Sequence, residues 1–187
     1  MSSLFPAHTT ATAPPAARRT MEATEKEFGF LPAAVARLAE SPELLDGFLR
    51  ASGSFEATTL DPVSREVVVM TMATRNGCHL CVAMHTGPLR ELGVGEGLIA
   101  ALQAGGPLDD DRLETLRAFV LEVLATTGDV SDDVVRSLLG HGYTLRNALD
   151  VVLGIGAYTM STFANRLTSA PLDEPFARHL GPLSEAS

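Results

Sequence analysis

Four residues in a short stretch, Glu66, Cys78, Cys81 and His85, have the types and spacing to do thiol redox chemistry. Cys78 and Cys81 stand three apart, and Cys81 and His85 four apart, so on a helix all three side chains share one face. A Cys-x-x-Cys at a helix start can close a local disulfide, and the unsatisfied amides there favour thiolate over thiol. An imidazole on that face can take or return the proton. Glu66 stands among Val67, Val68, Val69 and Met70. Buried there without a cation, its carboxyl would have a raised pKa and could act as a general base near neutral pH. The helix-start effect favours Cys78 as the more reactive thiol, whereas nearness to His85 favours Cys81.

Simpler readings compete for the same residues. Two cysteines, a histidine and a carboxylate are a plausible zinc set, but structural zinc clips separate segments of small domains, and here three of the groups crowd one helix. No metal is expected. A buried cysteine can be a small hydrophobe, yet two of them in this motif with His85 argue for chemistry. His79, between the cysteines, is a candidate accessory group that could equally face solvent. Asp109, Asp110 and Asp111 read as an acidic helix start, His141 and Tyr143 as loop residues, and Asn165 as a satisfied core amide.

The elements that must position these groups are helical throughout. Ser41-Pro42-Glu43 and Asp61-Pro62 each read as a cap followed by proline in the first turn. The first of these predicts a helix to about Phe55, the second a helix from Pro62 to Arg75 carrying Glu66. Asn76-Gly77 breaks the chain, and the cysteine helix is predicted from Cys78 to Leu92. Shorter helices are predicted from Arg18 to Glu27, around 32–39, from Gly95 to Ala104 and from Ser131 to Leu139. Longer ones span Asp110–Thr126 and Thr144–Leu167. Phe28 and Phe30 flank a glycine and are expected to pin that turn. Inside the last helix, Gly154 and Gly156 each cost roughly 1 kcal/mol relative to alanine, so close approach of another helix is expected there. No alternating run is long enough for a strand. The expected organisation is a flexible arm over 1–17, an all-α single-domain bundle over 18–172 and a tail over 173–187.

Composition agrees with packed helices. The chain has 187 residues, 45% of them hydrophobic but only 5% aromatic, with no Trp, which suits a core of Ala, Val, Leu and Met. A formal charge of -9 with a single lysine, Lys26, excludes a phosphate-neutralising nucleic-acid surface. No secretory pattern or membrane-length apolar run is present, so a cytoplasmic protein is expected, in a compartment where a lone Cys-x-x-Cys stays reduced.

Glu, eleven residues, Cys-x-x-Cys, three residues, His resembles the alkylhydroperoxidase D-like members of the carboxymuconolactone decarboxylase superfamily. The resemblance runs from about Phe30 to Pro171 and includes Ser41-Pro42-Glu43-Leu44-Leu45, Arg65-Glu66, Gly140 and Asn165-Arg166-Leu167. Such proteins carry a histidine immediately before the second cysteine, where this chain has Leu80. The resemblance implies an all-helical fold, homo-oligomeric assembly and a thiol peroxidase cycle acting on a small-molecule peroxide. In that cycle Cys81 is the peroxidatic cysteine, Cys78 resolves, and Glu66 and His85 relay the proton. It implies no bound cofactor and an external protein dithiol, a lipoyl carrier or thioredoxin-like protein, as reductant. The alternatives are a lactone decarboxylase, which needs no redox pair, and a non-catalytic thiol redox sensor or adaptor.

Overall fold

Asp61 starts the helix around which the others pack: its carboxylate accepts from Ser64 N at 2.9 Å, and Pro62 occupies the first turn. The computed structural model describes residues 4–180, and among them there are helices but no strand. In chain order these are α1 (Pro15–Phe28), α2 (Ala33–Leu38), α3 (Pro42–Glu56), α4 (Pro62–Arg75) and α5 (His79–Glu91). They continue as α6 (Glu96–Ala104), α7 (Asp111–Thr126), α8 (Asp132–Gly140), α9 (Leu145–Leu167) and α10 (Glu174–Ala177).

From Glu66 to Ala73 every residue of α4 is buried, because α5, α6, α7 and α9 surround it. That all-round burial explains the unbroken apolar run, which on a surface helix would alternate with polar residues. Gly77 adopts φ 62, a left-handed turn that suits glycine, and lets α5 fold back beside α4. Cys78 N then donates to Ala73 O at 2.8 Å, closing the break. At Gly154, an added Cβ would stand 2.7 Å from Phe55 Cε2 and 3.0 Å from Val68 Cγ1, so the expected close approach is to α3 and α4. At Gly156 nothing among the described residues lies within 4 Å of such a Cβ.

Residues 1–3 of the arm and 181–187 of the tail lie outside the described residues. Helix α1 begins at Pro15, three residues before Arg18, with proline in its first turn. In the arm, His8 N donates to Ala36 O and Arg37 donates to Phe5 O, which dock it on α2, His8 pairs with Glu40 at 2.7 Å, and Ala13 is buried. The tail contains α10, packed on α5. Its Phe176 clusters with Phe28 and Phe30 at 6.1 and 5.7 Å, so these two aromatics pin their turn to the tail as well as to each other. Asp110 caps α7 through Leu113 N. His141 is exposed, its ring nitrogen on Ser137 O. Tyr143 is buried with its hydroxyl 3.0 Å from Ser64 Oγ and its ring under Arg112.

Candidate active site

Helix α5 begins one residue later than expected, with Cys78 as its N-cap. Cys81 therefore sits in the first turn and His85 one turn further on. The two cysteines are free and buried, and their sulfurs hydrogen-bond at 2.9 Å. Helix α4 brings Glu66 from the side, and its Oε2 lies 2.9 Å from His85 Nδ1. The structure thus gathers Cys78, Cys81, His85 and Glu66 between α4, α5 and α9. His79 points outward: it is exposed, at the rim of the pocket that Cys78 lines.

Two expectations need correction. Glu66 is buried, but it does not stand there without a partner of opposite charge, because His85 lies against it. Burial opposes protonation of His85, but the Glu66 charge and hydrogen bond, with more distant help from Glu56 and Cys78, hold its pKa above the ordinary value of 6.5. The pairing therefore favours the imidazolium form of His85. His85 also meets the ring of Tyr158 edge-on at 5.3 Å. Secondly, Asn165 is no ordinary core amide. Its Nδ2 lies 3.4 Å from Cys81 Sγ and 4.0 Å from Cys78 Sγ, while its Oδ1 is buried and has no hydrogen-bond partner among the described residues.

The sulfurs are electrostatically unequal. The Cys81 thiol hydrogen-bonded to it lowers the Cys78 pKa most; against burial, and helped by the Cys81 amide, Asn165 and Arg166, the Cys78 thiol comes down to about 7. Its bond with Cys78 and its burial push Cys81 well above the ordinary thiol range. A dithiol sharing one proton behaves this way, one sulfur carrying the charge and its neighbour donating to it. The access route agrees: a pocket of about 250 Å³ is lined by Cys78, His79, Leu80, Asn165 and Arg166 but not by Cys81. A larger groove, of about 820 Å³ and lined by Leu38, Leu44, Met160 and Phe163, lies elsewhere and contains neither cysteine. Arg166 borders both cavities and donates to Asn76 O across the α4–α5 turn.

Ser161, whose Oγ lies 3.8 Å from Cys81 Sγ, was not identified from the sequence. The available signal was a polar series at helical spacing, Ser161, Asn165 and Thr168, on the buried face of α9. Among the described residues no three His, Cys, Asp or Glu side chains converge to hold a metal.

Residues 39–118, which include all four candidate residues, match the model of the carboxymuconolactone decarboxylase family. No curated protein sequence matches the chain. The fold is that of an alkylhydroperoxidase AhpD core structure, an uncharacterized peroxidase-related protein from Ralstonia eutropha JMP134, with 20% identity over 93% of this chain and 94% of that one (TM-score 0.81). A peroxidase-related protein from Silicibacter sp. TM1040 is 19% identical over 92% and 94% (TM-score 0.75). The debrominase Bmp8, solved as a cysteine-to-alanine variant with 2,3,4-tribromopyrrole, is 15% identical over 96% of both chains (TM-score 0.74). At such identities the likeness to solved structures is one of fold. Family match and fold agree: residues 39–118 are similar to the carboxymuconolactone decarboxylase family, and the chain as a whole has the fold of the alkylhydroperoxidase AhpD core structure.

Proposed function

We propose that this protein is a thiol-dependent peroxidase that reduces alkyl or hydrogen peroxide by cycling Cys78 and Cys81 between dithiol and disulfide. The observation that carries the reading is the sulfur pair itself: two buried thiols at 2.9 Å, one held at about 7 and bordering a small pocket, beside a histidine–carboxylate pair.

The roles divide by access and charge, in the reverse of the order that the resemblance implies. Cys78 thiolate attacks the terminal peroxide oxygen; the O–O bond breaks and an S–O bond forms, giving a sulfenic acid. The departing alkoxide or hydroxide takes a proton from the His85 imidazolium, which Glu66 keeps protonated and oriented. Cys81 then attacks the Cys78 sulfur, the S–S bond forms, and the sulfenic hydroxyl leaves with the Cys81 proton as water. An external dithiol, a lipoyl carrier or thioredoxin-like protein, attacks Cys78 from the pocket and restores both thiols by exchange. This cycle suits a reducing cytoplasm and needs no bound cofactor. Asn165 and Ser161 act as positioning residues, offering donors to whichever sulfur bears charge.

Anaerobic titration of the reduced protein with stoichiometric cumene hydroperoxide tests the cycle. Two thiols should disappear rapidly as mass spectrometry shows a Cys78–Cys81 disulfide. Cys81→Ser should halt at a Cys78 sulfenic acid trapped by dimedone, and Cys78→Ser should not react. Thiols that survive for minutes would sink the peroxidase reading. The dithiol's two electrons would then be sought in reductive dehalogenation, the kind of activity in the name of Bmp8.

A further inference from the structure

Helix α9 presents to solvent an apolar face that the other described residues leave uncovered. Leu145, Leu149, Val152, Phe163 and Leu167 are 63%, 72%, 51%, 58% and 71% exposed, along a helix whose opposite face is buried. The stripe is a palindrome. Four, seven and eleven residues before Gly156 stand Val152, Leu149 and Leu145; at the same distances after it stand Met160, Phe163 and Leu167.

Gly156 is at the centre, and the monomer gives it no reason to be glycine. It lies inside the helix, where alanine is better by roughly 1 kcal/mol, and a Cβ there would meet nothing within 4 Å among the described residues. Gly154, two residues earlier, differs because Phe55 fills its space. A missing side chain on an exposed apolar stripe allows another helix to approach closely.

We infer that α9 is the contact between two copies of this chain, packed antiparallel about a two-fold axis through Gly156. An isologous contact needs a self-complementary patch, and the palindrome supplies one. Leu145 meets the partner's Leu167, Leu149 meets the partner's Phe163, and Val152 meets the partner's Met160, while the two glycines face each other. A contiguous apolar patch of this kind on an otherwise charged surface marks an interaction site. Met160, Phe163 and Leu167 also line the groove of about 820 Å³, so the first half of the partner's α9 covers the groove rim beside Arg166. The same register places Arg146 opposite the partner's Arg166 at the exposed edge. Salt screens such like-charge pairs, so association strengthens with ionic strength.

Two charged variants of the full-length protein and their mixture test the register. Sedimentation velocity should show wild type as a dimer, or a multiple of it, at tens of micromolar. Leu149→Lys and Phe163→Glu each place two mismatched contacts in a homodimer, and each mismatch weakens it on the order of tenfold, so each variant alone should sediment as a folded monomer. Both positions are exposed, and unchanged helical circular dichroism would confirm folding. An equimolar mixture should recover the dimer, because the hetero pair has one Lys–Glu contact and one wild-type Leu–Phe contact. The inference is overturned if wild type is monomeric, if either single variant remains assembled, or if the mixture of folded variants fails to associate.

Discussion

Replacing Cys81 with alanine should raise the Cys78 thiol from about 7 to between roughly 8 and 9. The size of the shift follows from what is removed. The hydrogen bond from Cys81 is the largest influence holding the Cys78 thiolate down. A hydrogen bond to a charged group is worth about 1.5–3 kcal/mol, or about one to two pKa units at 1.36 kcal/mol per unit. Burial then acts on Cys78 with only the Cys81 amide, Asn165 and Arg166 to oppose it. At pH 7 the thiolate fraction falls from about half to between about one and ten per cent, and alkylation by iodoacetamide slows roughly five- to fiftyfold. Cys81→Ser retains a hydroxyl donor and should lie between alanine and wild type. Alkylation rates measured from pH 5 to 10, with the modified peptide located by mass spectrometry, give each thiol its own titration. The reasoning fails if Cys78 in Cys81→Ala still titrates near 7, or if the lone thiol of Cys78→Ser does so instead.

Other perturbations probe the surroundings of the pair. Because the folded pKa of His85 is raised above 6.5, stabilisation by its pairing with Glu66 is fully present below about pH 6.5 and fades as pH rises through the folded value. In Glu66→Gln, burial lowers the His85 pKa instead, so stability by urea denaturation should be about 2–4 kcal/mol below wild type near pH 6 and should recover toward pH 8; an unchanged slope would mean that the pair is not ionised. Asn165→Ala should raise the Cys78 thiol by less than Cys81→Ala does, and Asn165→Asp by more than Asn165→Ala, in the same alkylation assay; identical titrations in wild type and both variants would remove Asn165 from the site. Gly154→Ala drives a Cβ to within 2.9 Å of Phe55 Cζ. Overpacking of about 1–3 kcal/mol should outweigh the helix-propensity gain of about 1 kcal/mol, and a Tm that rises in a thermal melt would show that α3 and α9 are less closely packed.

The helix starts were legible because capping is local. Ser41-Pro42 and Asp61-Pro62 announce α3 and α4, and both side chains accept the expected backbone bonds, from Leu44 N and Ser64 N. The face shared by Cys78, Cys81 and His85 was legible for the same reason, since helical spacing alone sets it. What α9 contributes was not. Asn165 lies far along the chain from the cysteines, and nothing in its own neighbourhood distinguishes an amide aimed at two sulfurs from one that bonds a passing carbonyl. The carboxylate of Glu66 was visible within an apolar run, but its partner depended on how α4 and α5 lie side by side. The docked ends escaped for a related reason: Pro-rich sequence predicts the lack of long helices there, yet the seating of Phe176 between Phe28 and Phe30 depends on three distant segments meeting.

The left-handed turn at Gly77 has a bearing on what oxidation can do to the molecule. Only two residues separate the cysteines, and loop-closure entropy for so short a ring amounts to about 2 kcal/mol, confined to one turn of α5. That turn is anchored from both sides: Cys78 N is bonded to Ala73 O, and Arg166 reaches over Gly77 to Asn76 O. In the proposed cycle, a disulfide between Cys78 and Cys81 would close within this anchored turn. A protein that signals its redox state must have two shapes to show a partner, whereas one that turns over many times gains from returning to the same shape. In the proposed cycle the electrons would come and go through a single helical turn, so the surrounding scaffold should keep its form.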